Sequence, residues 1–128
     1  MYEIKQRTKT IIELNFSGFI KAEEMQKWLN ESKEILRKIP KGFSVIINMT
    51  QLKTLPADSK KIMEEGQKMY KDNGMVRSAV ILSSALITAQ FQKIAKDTGI
   101  DKWERYFDNS SPDWHTKAYN WVEKGIEP

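Results

Sequence analysis

The stretch Phe43-Ser44-Val45-Ile46-Ile47-Asn48-Met49 decides the fold class, because residues 45–47 form a continuous apolar run. A strand of that kind is typical of a parallel sheet that is covered on both faces. Residues 77–82 have the same character and end in Ala79-Val80-Ile81-Leu82. We therefore expect residues 45–47 and 80–82 to form the central, most buried strands of a parallel sheet.

The N-terminal segment shows a different pattern, in which apolar and polar residues alternate over residues 2–5 and 12–16. A period of two indicates strands with one buried face. Residues 7–10 then form the turn of an antiparallel hairpin. The turn contains neither Asn-Gly nor Asp-Gly, so its type stays open.

Apolar residues at steps of three and four predict helices over residues 21–39, 57–73 and from Ser83 or Ser84 to residue 98. A fourth helix is predicted with Ser111 as its cap and Pro112 at its first position. Residues 102–107 are expected to form a fifth strand, at an edge of the sheet. The predicted core faces are Met25, Leu29, Ser32, Leu36 and Ile39; Ile62, Met63, Gly66, Met69 and Tyr70; Ile87, Phe91, Ile94 and Ala95; and Trp114, Ala118, Trp121 and Val122.

The resulting order is β-β-α-β-α-β-α-β-α within 128 residues, a length that suits one domain spanning residues 1–128. Strands that alternate with helices indicate right-handed crossovers between parallel strands. The sequence thus predicts a single α/β domain with a mostly parallel five-stranded sheet, an N-terminal antiparallel hairpin and four helices.

Composition limits the cellular compartments and the classes of partner that suit this protein. The chain has no cysteine, and its longest apolar run is too short for a membrane span. The first residues lack the layout of a signal peptide, so we expect a cytoplasmic protein. The net charge of +4 comes from dispersed lysines, which favours a solvated surface over a nucleic-acid interface.

No catalytic constellation is evident. His115 is the only histidine and has no second histidine at helical spacing, so a surface role is favoured over metal binding or general-base catalysis. Neither Glu23-Glu24 nor Glu64-Glu65 is flanked by residues that would provide a dry cleft. The sequence predicts a protein that is not an enzyme and has neither a metal nor a cofactor.

Ligands of open α/β sheets gather at the carboxyl ends of the parallel strands, where helix N-termini present free amides. For Ser83 and Ser84, simple helix capping is the favoured alternative. Trp28 lies beside the main stripe of the first helix, so we expect it at the rim of a groove, although a plain core position is equally compatible. The predicted ligand-binding residues are Trp28, Thr50, Leu55, Pro56, Asp58, Ser83 and Ser84.

Several short motifs together resemble the SpoIIAA-like family, which is related to STAS domains and more distantly to CRAL-TRIO-type lipid-transfer domains. The motifs are Phe16-Ser17-Gly18-Phe19, residues 42–50, Leu55-Pro56 and residues 77–86, with Gln90, Gly99, Phe107-Asp108 and Trp121 downstream. The resemblance implies a STAS-type fold. It also implies a non-enzymatic binding domain that takes a small apolar or amphipathic ligand or associates with a membrane surface.

The same resemblance raises an alternative, a regulatory switch of the anti-sigma-factor-antagonist type that acts on a protein partner. Such domains carry a phosphorylatable serine in an Asp-Ser-Ser-Gly motif at the start of the second helix. Here residues 57–60 read Ala-Asp-Ser-Lys, which makes Ser59 the phosphorylation candidate. The glycine and the second serine of the motif are missing, and this departure weakens the switch hypothesis.

Overall fold

The computed structural model describes residues 1–86, 88–89, 91–93, 95–97 and 99–128. Its strands are β1 (Tyr2–Gln6), β2 (Ile11–Gly18), β3 (Ser44–Leu52), β4 (Arg77–Leu82) and β5 (Glu104–Asp108). Its helices are α1 (Ala22–Lys38), α2 (Ala57–Asp72), α3 (Ala85–Thr98) and α4 (Trp114–Lys124), and a short 3₁₀ turn, Ile100–Lys102, precedes β5. The predicted order of elements is confirmed.

The strands lie side by side in chain order, β1-β2-β3-β4-β5. The β1–β2 pair is antiparallel, with Tyr2 opposite Phe16, and every later pair is parallel. The predicted hairpin and parallel sheet are therefore both confirmed. Because each crossover moves one strand further in the same direction, right-handed connections place α1, α2 and α3 on one face of the sheet.

The continuous apolar runs are explained by cover on both faces. Val45 and Ile47 point towards α1 and α2, whereas Ile46 and Ile81 belong to a second cluster with α4. All four side chains are buried, as predicted for central strands. Alternation of side chains along a strand explains why neither face of β3 tolerates a polar residue at these positions.

Trp28 corrects the sequence interpretation, because its side chain is only 1% exposed and does not lie at a rim. Its ring stacks on Tyr70 at a centroid distance of 5.9 Å and meets Phe16 edge-on at 5.3 Å. The ring lies directly against Gly66, where a Cβ atom would collide with it. Trp28 therefore joins α1 to α2 and widens the core stripe of α1 towards α2.

A buried hydrogen bond reinforces the α1–α2 contact. The hydroxyl groups of Ser32 and Tyr70 lie 2.7 Å apart. Burial raises the pKa of Tyr70 to about 12, so the phenol keeps its proton at neutral pH.

Three predicted boundaries were wrong. The strand predicted over residues 43–49 continues to Leu52, because β2 extends alongside it as far as the Gly18–Leu52 pair. The fifth strand begins at Glu104, since the preceding residues form the 3₁₀ turn. The last helix begins at Trp114 and not at Pro112, because residues 111–113 form a turn in which the Trp114 amide donates a hydrogen bond to the Ser111 carbonyl.

The predicted core face of α3 can be followed only in part. Ala95 is buried, as predicted. Phe91 was wrongly assigned to the core, because its side chain is 38% exposed and its ring lies on the surface against Tyr106. Ile87 and Ile94 lie outside the described residues, as does Gln90 of the family resemblance. Within the described part of the chain, no helix has both the length and the apolar character that a membrane span requires.

Candidate functional site

A cavity of about 410 Å³ lies between the sheet and α2, and Trp28 of α1 is one of its walls. We call it the main cavity. It extends from Trp28 to the segment that leads into β5. Its described apolar walls are Leu14, Phe16, Trp28, Val45, Ile47, Met49, Met63, Met75, Ile100 and Trp103.

A second space of about 440 Å³, the carboxyl-edge cavity, adjoins the main cavity. Met49, Met63, Glu64 and Gln67 belong to the walls of both. The second space reaches the ends of the parallel strands, where Leu52, Leu55, Leu82 and Ser83 line it. Together the two cavities form a groove along α2, across the sheet face.

The structure brings together only some of the residues predicted to bind a ligand. Trp28 is a wall of the main cavity, and Leu55 and Ser83 line the carboxyl-edge cavity. Thr50, Pro56, Asp58 and Ser84 are absent from the described walls of either space. The carboxyl edge is therefore one end of the groove, and the other part lies under α2.

The polar residues at the carboxyl ends of the parallel strands make hydrogen bonds to neighbouring residues of the chain. Asn48 accepts hydrogen bonds from the amide and hydroxyl groups of Thr50, at 3.0 and 2.7 Å. The Asp58 carboxylate accepts the amide of Ser59 at 2.9 Å, near the start of α2. The Ser84 carbonyl accepts both the amide and the hydroxyl of Thr88. These bonds satisfy groups of the chain itself at this edge.

Ser59, the phosphorylation candidate, is fully buried at 0% exposure. Its Oγ atom makes no hydrogen bond. A kinase needs the hydroxyl group in solvent, so phosphorylation would require the first turn of α2 to open. The structure thus adds a physical obstacle to the switch hypothesis.

A polar patch lies at the opposite end of the groove, on β5. Glu104 lines the main cavity, and Tyr106 follows two residues later on the same face of the strand. Burial raises the pKa of the Glu104 carboxyl, while the hydroxyls of Tyr106 and Ser78 act in the opposite direction. Burial and the neighbouring Glu104 charge both raise the pKa of Tyr106. A carboxyl and a phenol therefore meet in an apolar setting.

A lysine side chain lies at the entrance of the main cavity, beside this polar patch. The Lys71 ammonium lies 4.5 Å from the centre of the Trp103 ring and donates to the Met75 carbonyl at 3.1 Å. Exposed side chains of α2, among them Gln67, Lys68 and Asp72, complete the rim. The cavity thus combines an apolar interior with a charged entrance.

Sequence reasoning missed Met75, Trp103 and Glu104 as site residues. The available signal was Glu104 itself, which shares the inward face of a predicted strand with Tyr106. An acidic residue at such a position calls for a partner or a ligand. The sequence could not show that this strand and α2 line the same cavity, because that depends on tertiary packing.

Comparison with known proteins gives one structural likeness. The chain matches no protein-family model, and no curated protein matches its sequence. It is similar to the crystal structure of an uncharacterized protein of the DUF3478 family from Shewanella loihica PV-4, which has a SpoIIAA-like fold. The TM-score is 0.71 at 14% identity, over 95% of this chain and 92% of that one. The fold implied by the motif resemblance is thereby confirmed: the protein has a SpoIIAA-like fold.

Proposed function

We propose that the protein is a non-enzymatic binding domain that takes a small apolar or amphipathic ligand in the groove beside α2. The observation that carries this proposal is the main cavity, an apolar space of about 410 Å³. Binding sites for small molecules typically enclose about 300–1,000 Å³ and are lined mostly by apolar and aromatic side chains. The SpoIIAA-like fold accommodates the groove but does not identify a ligand.

The size of the cavity argues against a simple packing defect. Protein interiors are close-packed, and voids larger than a water molecule are few. Empty apolar volume lowers stability, at about 24 cal/mol per Å³ in core truncations. Met49, Met63 and Met75 line the space, and flexible thioether side chains adapt to ligands of irregular shape.

Catalysis has less support than binding. A catalytic proposal from sequence would place Asp58 and a lysine together in a deep polar pocket. Asp58 is instead exposed and bonded to the Ser59 amide, and the described cavity walls are mainly apolar. His115 packs with its ring against Trp114 and Tyr119 of α4.

Binding is tested with octan-1-ol, followed by calorimetry and by tryptophan fluorescence, since Trp28 and Trp103 both line the cavity. We expect saturable binding with one site per chain. Native mass spectrometry of protein from its own host should also show a co-purified small molecule. Absence of both saturable binding and a co-purified molecule would refute the proposal.

Ser78→Ile should fill the main cavity. Ser78 lines it from β4, is fully buried, and has a hydroxyl group without a hydrogen-bond partner of normal geometry. We expect the variant to gain about 1–2 kcal/mol in free energy of unfolding, because apolar carbons replace an unsatisfied hydroxyl. We also expect it to bind octan-1-ol at least tenfold more weakly.

Urea denaturation and calorimetry measure both effects. Ser110→Ile is the matched control, since Ser110 is exposed in the turn after β5 and should change neither quantity. A destabilised Ser78→Ile variant that binds octan-1-ol normally would show that the site lies elsewhere.

A membrane surface is a second candidate, favoured by two apolar side chains at the carboxyl edge. Phe19 is 73% exposed directly after β2, and Leu86 is 70% exposed at the start of α3. Lys53 and Lys60 line the cavity that opens at the same edge. Exposed apolar residues beside lysines suit the interface of an anionic bilayer.

Sedimentation with vesicles of phosphatidylcholine and phosphatidylserine tests the membrane proposal. We expect the double variant Phe19→Ser, Leu86→Ser to bind these vesicles at least about tenfold more weakly than the unchanged protein, since two inserted apolar side chains are lost. The matched control is Val76→Ser, which removes an exposed apolar residue just before β4, at the opposite edge. Equal sedimentation of all three proteins would exclude docking through this edge.

A further inference from the structure

Glu104 is the acidic group inside the main cavity, at the start of edge strand β5. The other acidic side chains of the cavity walls, Glu64 and Asp72, are exposed on α2. Solvent screens those two charges, whereas the Glu104 carboxyl lies among apolar groups. Its position therefore makes it the cavity group best placed to select a ligand.

The Glu104 carboxyl has no counter-ion in the described part of the chain. None of the ion pairs found there involves it. Burial raises its pKa, and the opposing influences come only from the hydroxyls of Tyr106 and Ser78. The Ser78 hydroxyl lies close enough to affect the carboxyl but makes no hydrogen bond of normal geometry. A half-buried carboxyl among apolar groups and without a cation is costly, and a cation that enters the cavity would offset that cost.

The adjacent Trp103 offers an aromatic face on which a cation can lie. Its ring already faces the ammonium group of Lys71, at 4.5 Å. Lys71 is held there by the Met75 carbonyl and forms no ion pair with Glu104. An aromatic face beside a carboxylate is a combination that recognises organic ammonium groups.

We propose that the ligand is an amphipathic amine, whose ammonium group pairs with Glu104 while its hydrocarbon part fills the main cavity. This inference rests on the proposed binding function and names the class of ligand. In apolar surroundings a charge-assisted hydrogen bond is stronger than a neutral one. A ligand with a carboxylate head would instead meet repulsion from Glu104.

The test compares three probes with the same eight-carbon chain at pH 8: octylamine, octan-1-ol and octanoate. We expect octylamine to bind most tightly. Glu104→Gln should weaken octylamine binding about 10- to 100-fold, the range for loss of a charged hydrogen bond, and leave octan-1-ol binding unchanged. The matched control is Glu64→Gln, which removes an exposed carboxylate from the cavity wall and should alter octylamine binding less than about twofold.

Lys71→Met provides a test with the opposite sign. Removal of the ammonium group from the Trp103 face takes away a like charge, so octylamine should bind several-fold more tightly. Octan-1-ol binding should not change. Thermal melts verify that each variant is folded before titration.

The outcomes separate the two proposals. If none of the three probes binds, the proposed binding function fails. If octan-1-ol binds but octylamine is no tighter and Glu104→Gln has no effect, the cavity stands and the amine inference is overturned. If octanoate binds most tightly and Lys71→Met abolishes its binding, the cavity entrance selects anionic ligands, and the amine inference is overturned as well.

Discussion

Trp121→Ala is expected to lower the free energy of unfolding by about 3–5 kcal/mol, the range of large aromatic truncations in cores. Trp121 is 5% exposed and packs between α4 and the sheet face that carries Ile46 and Ile81. Its Nε1 atom donates to the Ser78 carbonyl at 3.0 Å. The variant thus loses buried area and also leaves a buried carbonyl without this partner.

Truncation of Trp121 also removes a cation–π contact, because the guanidinium group of Arg105 lies 4.1 Å from the centre of the Trp121 ring. Urea denaturation should therefore show a lower midpoint with an unchanged slope. Trp114→Ala is the matched control, since Trp114 lies on the same helix but is only partly buried, and it should cost clearly less. An unchanged melting temperature for Trp121→Ala would mean that α4 does not cover this face.

Trp28→Ala is expected to have a similar effect, about 3–5 kcal/mol, on the other face of the sheet. The ring is enclosed by Phe16, Tyr70 and Gly66, so truncation leaves a space that these neighbours cannot close. That space would join the main cavity, because Trp28 is one of its walls. Denaturant titration measures the loss of stability.

Trp28→Phe separates packing from hydrogen bonding. The Trp28 Nε1 atom is buried and has no hydrogen-bond partner, so phenylalanine removes an unsatisfied donor while it keeps an aromatic ring against Tyr70. We expect the phenylalanine variant to cost about 1–2 kcal/mol, well below the alanine variant. If both variants lost the same free energy of unfolding, the Trp28 Nε1 atom would have to make a stabilising hydrogen bond, which would contradict the structure.

The elements of the fold could be predicted because each carries a local pattern. The alternation in β1 and β2 follows from one buried face, and the unbroken runs in β3 and β4 follow from two. The boundaries that were wrong depend on neighbours. β3 runs to Leu52 because β2 extends beside it to Gly18, and no local signal within β3 records that partner.

The site was predictable only at one end. The rule that ligands gather at the carboxyl ends of parallel strands pointed to Leu55 and Ser83, which do line the groove. The rule says nothing of a space under a helix, such as the one between α2 and the sheet. Trp28 was assigned to a groove rim because it lies beside the apolar stripe of α1. The sequence does not show that Tyr70 of α2 packs against its ring.

By itself the sequence determined the α/β class, the order of the elements and most of the residues that α1, α2 and α4 turn inwards, because these follow from side-chain period and local breakers. Only the tertiary structure decided where the chain leaves space. Glu104 and Trp103 line the main cavity together with Met63 and Met75, although the two pairs are distant in sequence. Their relation depends on the spacing of α2, β4 and β5, which is set by packing among many side chains and leaves no periodic trace in any one segment.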